Sequence, residues 1–237
     1  MMNFFLILAF LFFVGSTIGW VIELFFRRFF SAKKWINPGF LVGPYLPIYG
    51  FGVVGLFLLS RINFPVNNEA LNICLKLLLM ALAMTLIEYL AGLIFIKCMK
   101  IKLWDYSDRK FNIQGIICPL FSLIWALVGV LYYFLVDPYI IDSLMWLANH
   151  LAFSFVIGFF YGVFIIDVWY SLKLSVKIRN LANEYGLIIK YEHLKESIRI
   201  RASEAKQKID FFHPLKANES PKDMIMHYIE HIKNRKK

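Results

Sequence analysis

The sequence predicts an all-α integral membrane protein with five transmembrane helices, an outside N-terminus and a cytoplasmic C-terminus. Three observations lead to this fold class. Hydrophobic residues make up 59% of the 237 residues, which exceeds the usage of soluble domains. Five long apolar stretches divide residues 1–172, and basic residues fall in every second gap between them.

Each apolar stretch is close to the length of about 20 residues that a helix needs to cross a bilayer. The predicted spans are residues 3–26, 44–60, 71–96, 115–136 and 144–172. The second is the shortest. No cleavable signal peptide is expected, because the first stretch is too long for a signal-peptide core and follows no basic segment.

Lys and Arg predict the orientation of these helices. The gaps after the first and third spans contain the basic residues Arg27, Arg28, Lys33, Lys34, Lys97, Lys100, Lys102, Arg109 and Lys110. The gap after the second span offers only Arg61 before Lys76, and the gap after the fourth has neither Lys nor Arg. Since short basic loops stay in the cytoplasm, the chain is expected to start outside and to end inside.

The predicted domains are a membrane domain of residues 1–172 and a basic helical tail of residues 173–237. The net charge is +10, and the tail alone contains 15 basic and 8 acidic residues. Anionic inner-leaflet lipids are the nearest partner for such a tail, so no nucleic acid is expected. The fifth span is predicted to continue as a helix past Lys173 and to break at Tyr185 and Gly186.

A second tail helix is indicated by an apolar stripe that we expect to pack on other tail helices or on the membrane surface. The stripe consists of Leu187, Tyr191, Leu194, Ile198, Ala205, Ile209 and Phe212. Pro214 is expected to end this helix, and Ser220 is the predicted N-cap of another.

The membrane domain shows a weak parallel repeat of spans 1–2 and 3–4. Glu23 and Glu88 are each followed by a basic loop, and then by Asn, Gly and Pro in the same order. These residues are Asn37, Gly43 and Pro44 in the first copy and Asn112, Gly115 and Pro119 in the second. Duplication and chance both remain open as explanations.

Metal and nucleotide chemistry are not expected, and no cofactor is predicted. Cys74, Cys98 and Cys118 are widely spaced and form no metal or redox pattern. The chain contains no P-loop motif for ATP. His227 and His231 fit a zinc-protease pattern, but they lie too near the end of this sequence to leave much chain for a third ligand.

Three acids fall inside predicted spans, where an ionisable side chain costs about 2.5–3.5 kcal/mol on insertion scales. Glu88 is the deepest, nine residues before Lys97, and it is either functional or a hydrogen-bonded structural residue. Glu23 follows Gly15 and Gly19 on one helical face, and an ion pair with Arg27 is the structural alternative.

Asp167 is the weakest of the three candidates. It lies six residues before Lys173, so we expect its side chain to reach the membrane interface.

Two further segments are candidates for a binding site. The second span opens with the proline- and glycine-rich residues Gly43, Pro44, Tyr45, Pro47, Tyr49 and Gly50. They indicate either a helix broken around a substrate or a kinked, tightly packed helix entry. The loop residues Trp104, Asp105 and Tyr106 combine interface aromatics with an acid, which would neutralise a nearby arginine or bind a partner.

These motifs resemble a bacterial membrane family catalogued as putative ABC-transporter type IV, or CmpB-like permeases. The resemblance covers roughly residues 15–170, and its most specific strings are Gly-Pro-Tyr-x-Pro-Ile-Tyr-Gly from Gly43 and Trp-Asp-Tyr-Ser from Trp104. It implies a permease subunit in the bacterial cytoplasmic membrane. The Glu-Ala-Ala-x-x-x-Gly loop through which many ABC importers engage their ATPase is missing from this sequence.

The predicted function is therefore a permease-like subunit of a transport system, with Glu23 and Glu88 as the main site residues and substrate unknown. Five spans make a small bundle, so a homo-oligomer or a partner subunit, including a separate ATPase, is expected. Two alternatives stay open: a membrane-embedded enzyme acting on a lipid through the same carboxylates, and a non-transporting scaffold or regulator that works through its tail.

Overall fold

A computed structural model describes residues 3–30 and 33–204, together with Asp223, Met226, Tyr228 and Ile229. Its α-helices are α1 (Phe4–Phe29), α2 (Pro47–Ser60), α3 (Glu69–Ile94), α4 (Pro119–Leu131), α5 (Asp137–Asn149), α6 (Ser154–Glu184) and α7 (Tyr191–Glu204). Two π-helical turns, Phe95–Met99 and Tyr132–Val136, extend α3 and join α4 to α5. A short parallel pair of strands, β1 (Ile101–Lys102) and β2 (Ile189–Lys190), connects the loop after α3 to the start of the tail.

Four helical segments are long and apolar enough to cross a membrane, as judged by length and composition. They are Phe4–Phe29, Glu69–Met99, Pro119–Asn149 and Leu151–Glu184. The segment Pro47–Ser60 has 14 residues, which rise about 21 Å and fall short of a hydrocarbon core of about 30 Å. The chain is compatible with an all-α, multi-pass membrane protein, and five spans stay a prediction.

Local sequence explains where the helices begin. The side chain of Asn3 accepts a hydrogen bond from the backbone N–H of Phe5, and Asn68 caps α3 in the same way. Helices α2 and α4 each begin with a proline, which is tolerated in the first turn because no backbone donor is needed there.

Three predicted boundaries are wrong. The fourth span was predicted from residue 115, but α4 begins at Pro119. The second helix begins at Pro47 rather than at residue 44, since the preceding residues are bound to other parts of the chain. The fifth span was predicted from Leu144, but Leu144 lies in α5 and α6 begins at Ser154. The interval 137–143 is helical because Pro138 occupies the first turn of α5, directly after the π-helical turn.

The prediction that the last span continues into the tail is confirmed. Helix α6 runs unbroken to Glu184, and Gly186 follows with a positive φ of 63°. Helix α6 passes residue 172 without interruption, so no break in the helix marks the boundary between membrane domain and tail. The point at which the helix leaves the membrane stays a prediction.

The described part of the tail stripe packs against other parts of the chain. Packing on other tail helices was one of the two expectations for it. Tyr191, Leu194 and Ile198 of the stripe belong to a buried cluster, and Leu187 packs against it. We call this cluster the tail cluster; it consists of Ile101, Ile178, Leu181, Ala182, Ile189, Tyr191, Leu194, Ile198, Tyr228 and Ile229. Ala205, Ile209, Phe212, Pro214 and Ser220 lie outside the described residues, as do His227 and His231. Lipid binding by the tail stays a prediction, and any such contact would use a face other than the buried one.

The helices of the bundle pack closely through small residues. Gly15 and Gly19 of α1 meet Val53 and Tyr49 of α2, and a Cβ atom at Gly19 would overlap the Tyr49 ring. This confirms the predicted Gly-x-x-x-Gly packing face. In the corresponding place of the second helix pair, Gly92 of α3 lies against Ile116.

We predict that reporter fusions after Asn63 and after His150 will report an external location, and that a C-terminal fusion will report the cytoplasm. The reason is the alternation of basic and non-basic connections. Both internal fusion points lie between helices, in the α2–α3 and α5–α6 connections. Alkaline phosphatase and green fluorescent protein fusions give opposite signals and control each other. A cytoplasmic signal after His150 would contradict the five-span orientation.

Candidate functional site

Glu23 lies near the end of α1, and its carboxylate accepts hydrogen bonds from two side chains. Its Oε2 accepts a hydrogen bond of 2.9 Å from the Tyr49 hydroxyl, and its Oε1 accepts one of 2.9 Å from Arg27 Nε. The predicted pair with Arg27 is therefore present. Since Gly19 lets α2 approach α1, the Tyr49 hydroxyl comes within reach of this carboxylate.

Glu88 is buried in α3, with only 3% of its surface exposed. Its Oε1 accepts a hydrogen bond of 3.1 Å from the Tyr106 hydroxyl. Its Oε2 is also buried and has no hydrogen-bond partner among the described residues. Within the same part of the chain, no lysine or arginine forms an ion pair with Glu88. This carboxyl group is thus half-satisfied and lacks a counter-ion.

Aromatic side chains join the two carboxylates into one site. The rings of Tyr49 and Trp125 lie 6.0 Å apart, and Trp125 of α4 also approaches Glu88. Tyr49 and Tyr106 each interact electrostatically with both carboxylates. We refer to Glu23, Tyr49, Glu88, Tyr106 and Trp125 as the carboxylate site. It brings together predicted residues from α1, α2, α3 and the loop before α4.

Other predicted residues of the second span belong to a different cluster. The backbone N–H of Gly43 and the hydroxyl of Tyr45 donate to Asp167 Oδ2, at 2.7 and 2.6 Å. Pro44 lies between them and is exposed. Pro47 is the first residue of α2.

Gly50 packs against Ser16 of α1. The segment at residues 43–50 is therefore a tightly packed helix entry, and Tyr49 alone among its candidates reaches the carboxylate site.

Asp167 is the residue that sequence reasoning misjudged most. Its side chain does not reach for the membrane interface: it is only 8% exposed, and the backbone N–H of Val42 and the hydroxyl of Ser171 also bond to it. Asp167 therefore has four hydrogen bonds and anchors the loop before α2. A signal was available in the sequence, because the polar residues Asp167, Ser171 and Ser175 recur every four residues and so share one helical face. In the structure all three are buried.

The three candidates of the second loop have separate roles. Tyr106 belongs to the carboxylate site, whereas the indole N–H of Trp104 donates to the backbone carbonyl of Ile116 at 2.8 Å. Asp105 binds Lys102 of β1 and Lys190 of β2, each at 2.5 Å. Although burial raises it, the hydrogen bonds from these two lysines hold the pKa of Asp105 well below its usual range.

Asp105 thus neutralises lysines, where the sequence suggested arginines. It ties the loop after α3 to the tail.

The tail reaches the carboxylate site through ion pairs. Arg27 Nη1 lies 2.7 Å from Glu192 Oε2 of α7, so one guanidinium joins Glu23 to the tail. Glu192 in turn lies 3.5 Å from Lys195 Nζ. Lys195 is 4% exposed and donates to the backbone carbonyls of Asn37 and Gly39, at 3.1 and 2.9 Å.

The side chain of Asn37 completes the attachment of this loop. Its Oδ1 accepts a hydrogen bond of 2.8 Å from the Trp20 indole, and its Nδ2 donates to the carbonyls of Leu41 and Val42. The loop before α2 is consequently held by α1, by Asp167 of α6 and by Lys195 of α7.

A comparison with protein-family models gives one match, described as putative ABC-transporter type IV (ABC_trans_CmpB), over residues 10–172. This match covers more than half of the chain. The chain belongs to the putative ABC-transporter type IV family. No curated protein and no solved structure matches it.

The match to the ABC-transporter type IV family confirms the resemblance and makes this a transport-related membrane protein. All residues of the carboxylate site lie within the matched range. Glu192 and Lys195 lie beyond it, so the attachment of the tail is a feature of this chain that the family match does not cover.

We predict that the tail docks more tightly as the pH rises through about 8 to 10. Burial lowers the pKa of Lys195 to about 8; Glu192 opposes this effect and Arg27 of α1 adds to it. A further titratable side chain, Tyr191, also lies near this amine, with its ring centroid 4.5 Å from Lys195 Nζ. Below a pH of about 8, Lys195 is protonated whether the tail is docked or undocked. Above this pH, Lys195 loses its proton more readily in the docked tail than in the undocked tail. The docked state therefore becomes more stable as the pH rises.

Thermal unfolding of the purified protein across this pH range is the measurement. Lys195→Met, which keeps an unbranched side chain of similar length but has no titratable group, serves as the control. Its unfolding temperature should lack the upward trend that the wild type shows. The same trend in both proteins would show that Lys195 is not the titrating group.

Proposed function

We propose that this chain is a permease-like integral membrane subunit of a transport system, and that the carboxylate site lies on its transport path. One observation carries this proposal: Glu88 Oε2 is buried inside the long apolar helix α3 with neither a hydrogen bond nor a counter-ion in the described part of the chain. A buried polar group without a partner costs stability, so its presence calls for a role other than packing.

Asp167 provides the internal comparison. It is also an acid within an apolar helix, but it accepts four hydrogen bonds, three from the loop before α2 and one from Ser171 of its own helix. A carboxylate that serves only to hold the structure together is expected to look like Asp167. Glu88 Oε1 accepts a hydrogen bond from Tyr106, the Trp125 indole lies near the carboxylate, and Oε2 has no hydrogen bond among the described residues, which suits a group that binds something during a functional cycle.

Helix α3 turns one continuous buried face towards its neighbours. Lys76, Met80, Met84, Glu88 and Gly92 are buried at intervals of four residues. Lys76 and Glu88 are twelve residues apart, or about 18 Å along the helix axis, and two methionine side chains fill the space between them. We propose that the path follows this face and is closed at the methionines in the present conformation.

The polar end at Lys76 is built from three elements. Lys76 Nζ donates to the Ser60 carbonyl at 3.3 Å and to Asn63 Oδ1 at 2.9 Å. The hydroxyl of Ser60 donates to Asp137, which also pairs with Arg61. Lys76 was not among the predicted site residues, although it is the one basic residue within the third predicted span.

The proposal extends to the partners of the chain. The helix bundle is small, and the chain belongs to a transport-related family. Both points support assembly with a second copy, with a partner subunit or with a separate ATPase in the bacterial cytoplasmic membrane. The basic surface of the tail would face the anionic inner leaflet.

Glu88→Gln tests the proposed function. Gln keeps the size and accepts the bond from Tyr106, but it cannot carry a charge. We predict that the amount of folded protein in membranes stays within about twofold of wild type, while the phenotype of a deletion strain is no longer complemented. Complementation at the wild-type level would make Glu88 a packing residue and contradict the proposal.

Two matched variants sharpen this experiment. Glu69→Gln changes an exposed acid in the first turn of the same helix and should complement fully. Asp167→Asn should lower the amount of folded protein, since it weakens the three hydrogen bonds that position the loop before α2.

A further inference from the structure

The open oxygen of Glu88 indicates what kind of group the carboxylate site would take. We propose that the site binds a primary or secondary ammonium group of the transported molecule, which donates an N–H to Glu88 Oε2 and lies beside Trp125 and Tyr49. This inference rests on the proposed function and adds the substrate class to it.

The charges around the site favour a cation. Glu23, Glu88 and Glu192 are negative, and the positive groups linked to them are Arg27 and Lys195. When all five are ionised, one negative charge remains uncompensated. Arg27 cannot supply the missing charge to Glu88, because its guanidinium is already divided between Glu23 and Glu192.

The missing hydrogen bond favours an N–H donor. Oε1 of Glu88 has its donor in Tyr106, whereas Oε2 has none among the described residues. A primary or secondary ammonium supplies both a positive charge and an N–H to this atom. A quaternary ammonium has the charge but no N–H, so it would leave the buried oxygen unpaired.

The surroundings of the site favour an organic cation over a metal ion. The described residues contain no group of three or more His, Cys, Asp or Glu side chains that could hold a metal. What they do provide is aromatic rings: Tyr49 and Trp125 form a tilted pair, and Tyr106 stacks on Phe121 with 4.2 Å between ring centroids. Ring faces attract ammonium groups, whereas small metal ions need several oxygen or nitrogen ligands.

The test compares simple probe cations on the full-length purified protein. Ethylammonium, ethyltrimethylammonium and sodium, all as chlorides at equal ionic strength, are titrated while thermal unfolding is followed. A ligand that binds the folded state raises the unfolding temperature in a saturable way. We expect saturation with ethylammonium, at least about tenfold weaker apparent affinity for ethyltrimethylammonium, and no saturable effect of sodium.

Variants locate the binding. Glu88→Gln should abolish the ethylammonium effect, Trp125→Leu should weaken it several-fold, and Glu69→Gln should leave it unchanged. If Glu88→Gln does not fold, the wild-type comparison of ethylammonium with ethyltrimethylammonium decides by itself. Equal effects of these two probes, an effect that persists in a folded Glu88→Gln, or no saturable effect of ethylammonium would overturn the inference.

The outcomes separate this inference from the proposed function. If Glu88→Gln fails to complement the deletion strain but ethylammonium does not bind, the substrate class is wrong and the permease role stands. If ethylammonium binds through Glu88 but Glu88→Gln complements fully, the site exists and the permease role fails.

Discussion

The rest of the structure depends on the Arg27 guanidinium, which two carboxylates from distant parts of the chain share. Glu23 binds it from within α1 and Glu192 binds it from α7, so a single side chain connects the carboxylate site to the tail. The Arg27–Glu23 pair is largely shielded from water, which makes it stronger than an ion pair at an open surface, whereas the Glu192 side chain is 36% exposed. Through Glu192 and Lys195 the connection continues to the backbone of the loop before α2, whose far end Asp167 anchors. The carboxylate site, the loop before α2 and the tail are therefore connected as one unit.

The two buried acids Glu88 and Asp167 show how burial alone misleads. Both lie in apolar helices and are almost fully buried, yet their hydrogen bonds differ. Asp167 accepts four hydrogen bonds, three of which hold the loop before α2, whereas Glu88 accepts one, from Tyr106, and only the Trp125 indole lies near it besides, among the described residues. Placing a carboxylate in the bilayer is costly in either case, but only Asp167 recovers that cost through structure. The difference is the physical basis for assigning a positioning role to one residue and a binding role to the other.

Features that depend on nearby residues were predictable from the sequence. The long apolar helices follow from hydropathy, the Glu23–Arg27 pair follows from their separation of four residues, and the close approach at Gly19 follows from its small side chain. Features that depend on tertiary neighbours were not predictable. Helical spacing shows that Asp167 and Glu192 lie on particular faces, but it does not reveal that those faces meet Gly43 and Arg27 more than a hundred residues away. The π-helical turn that merges α4 with α5 also has no clear sequence signal, which explains the misplaced start of the last span.

Hydrogen exchange of the loop before α2 tests the central claim, that Arg27 and Glu192 make the loop and the tail one unit. Exchange of peptides covering residues 37–46 is compared between wild type, Glu192→Gln and Glu196→Gln by mass spectrometry. Glu196 pairs with Lys34 where both side chains are about half exposed, so its loss should change little. The account predicts faster exchange of the loop in Glu192→Gln alone, because Lys195 loses its carboxylate and the tail loses Arg27. Exchange in Glu192→Gln at the wild-type rate would contradict the claim.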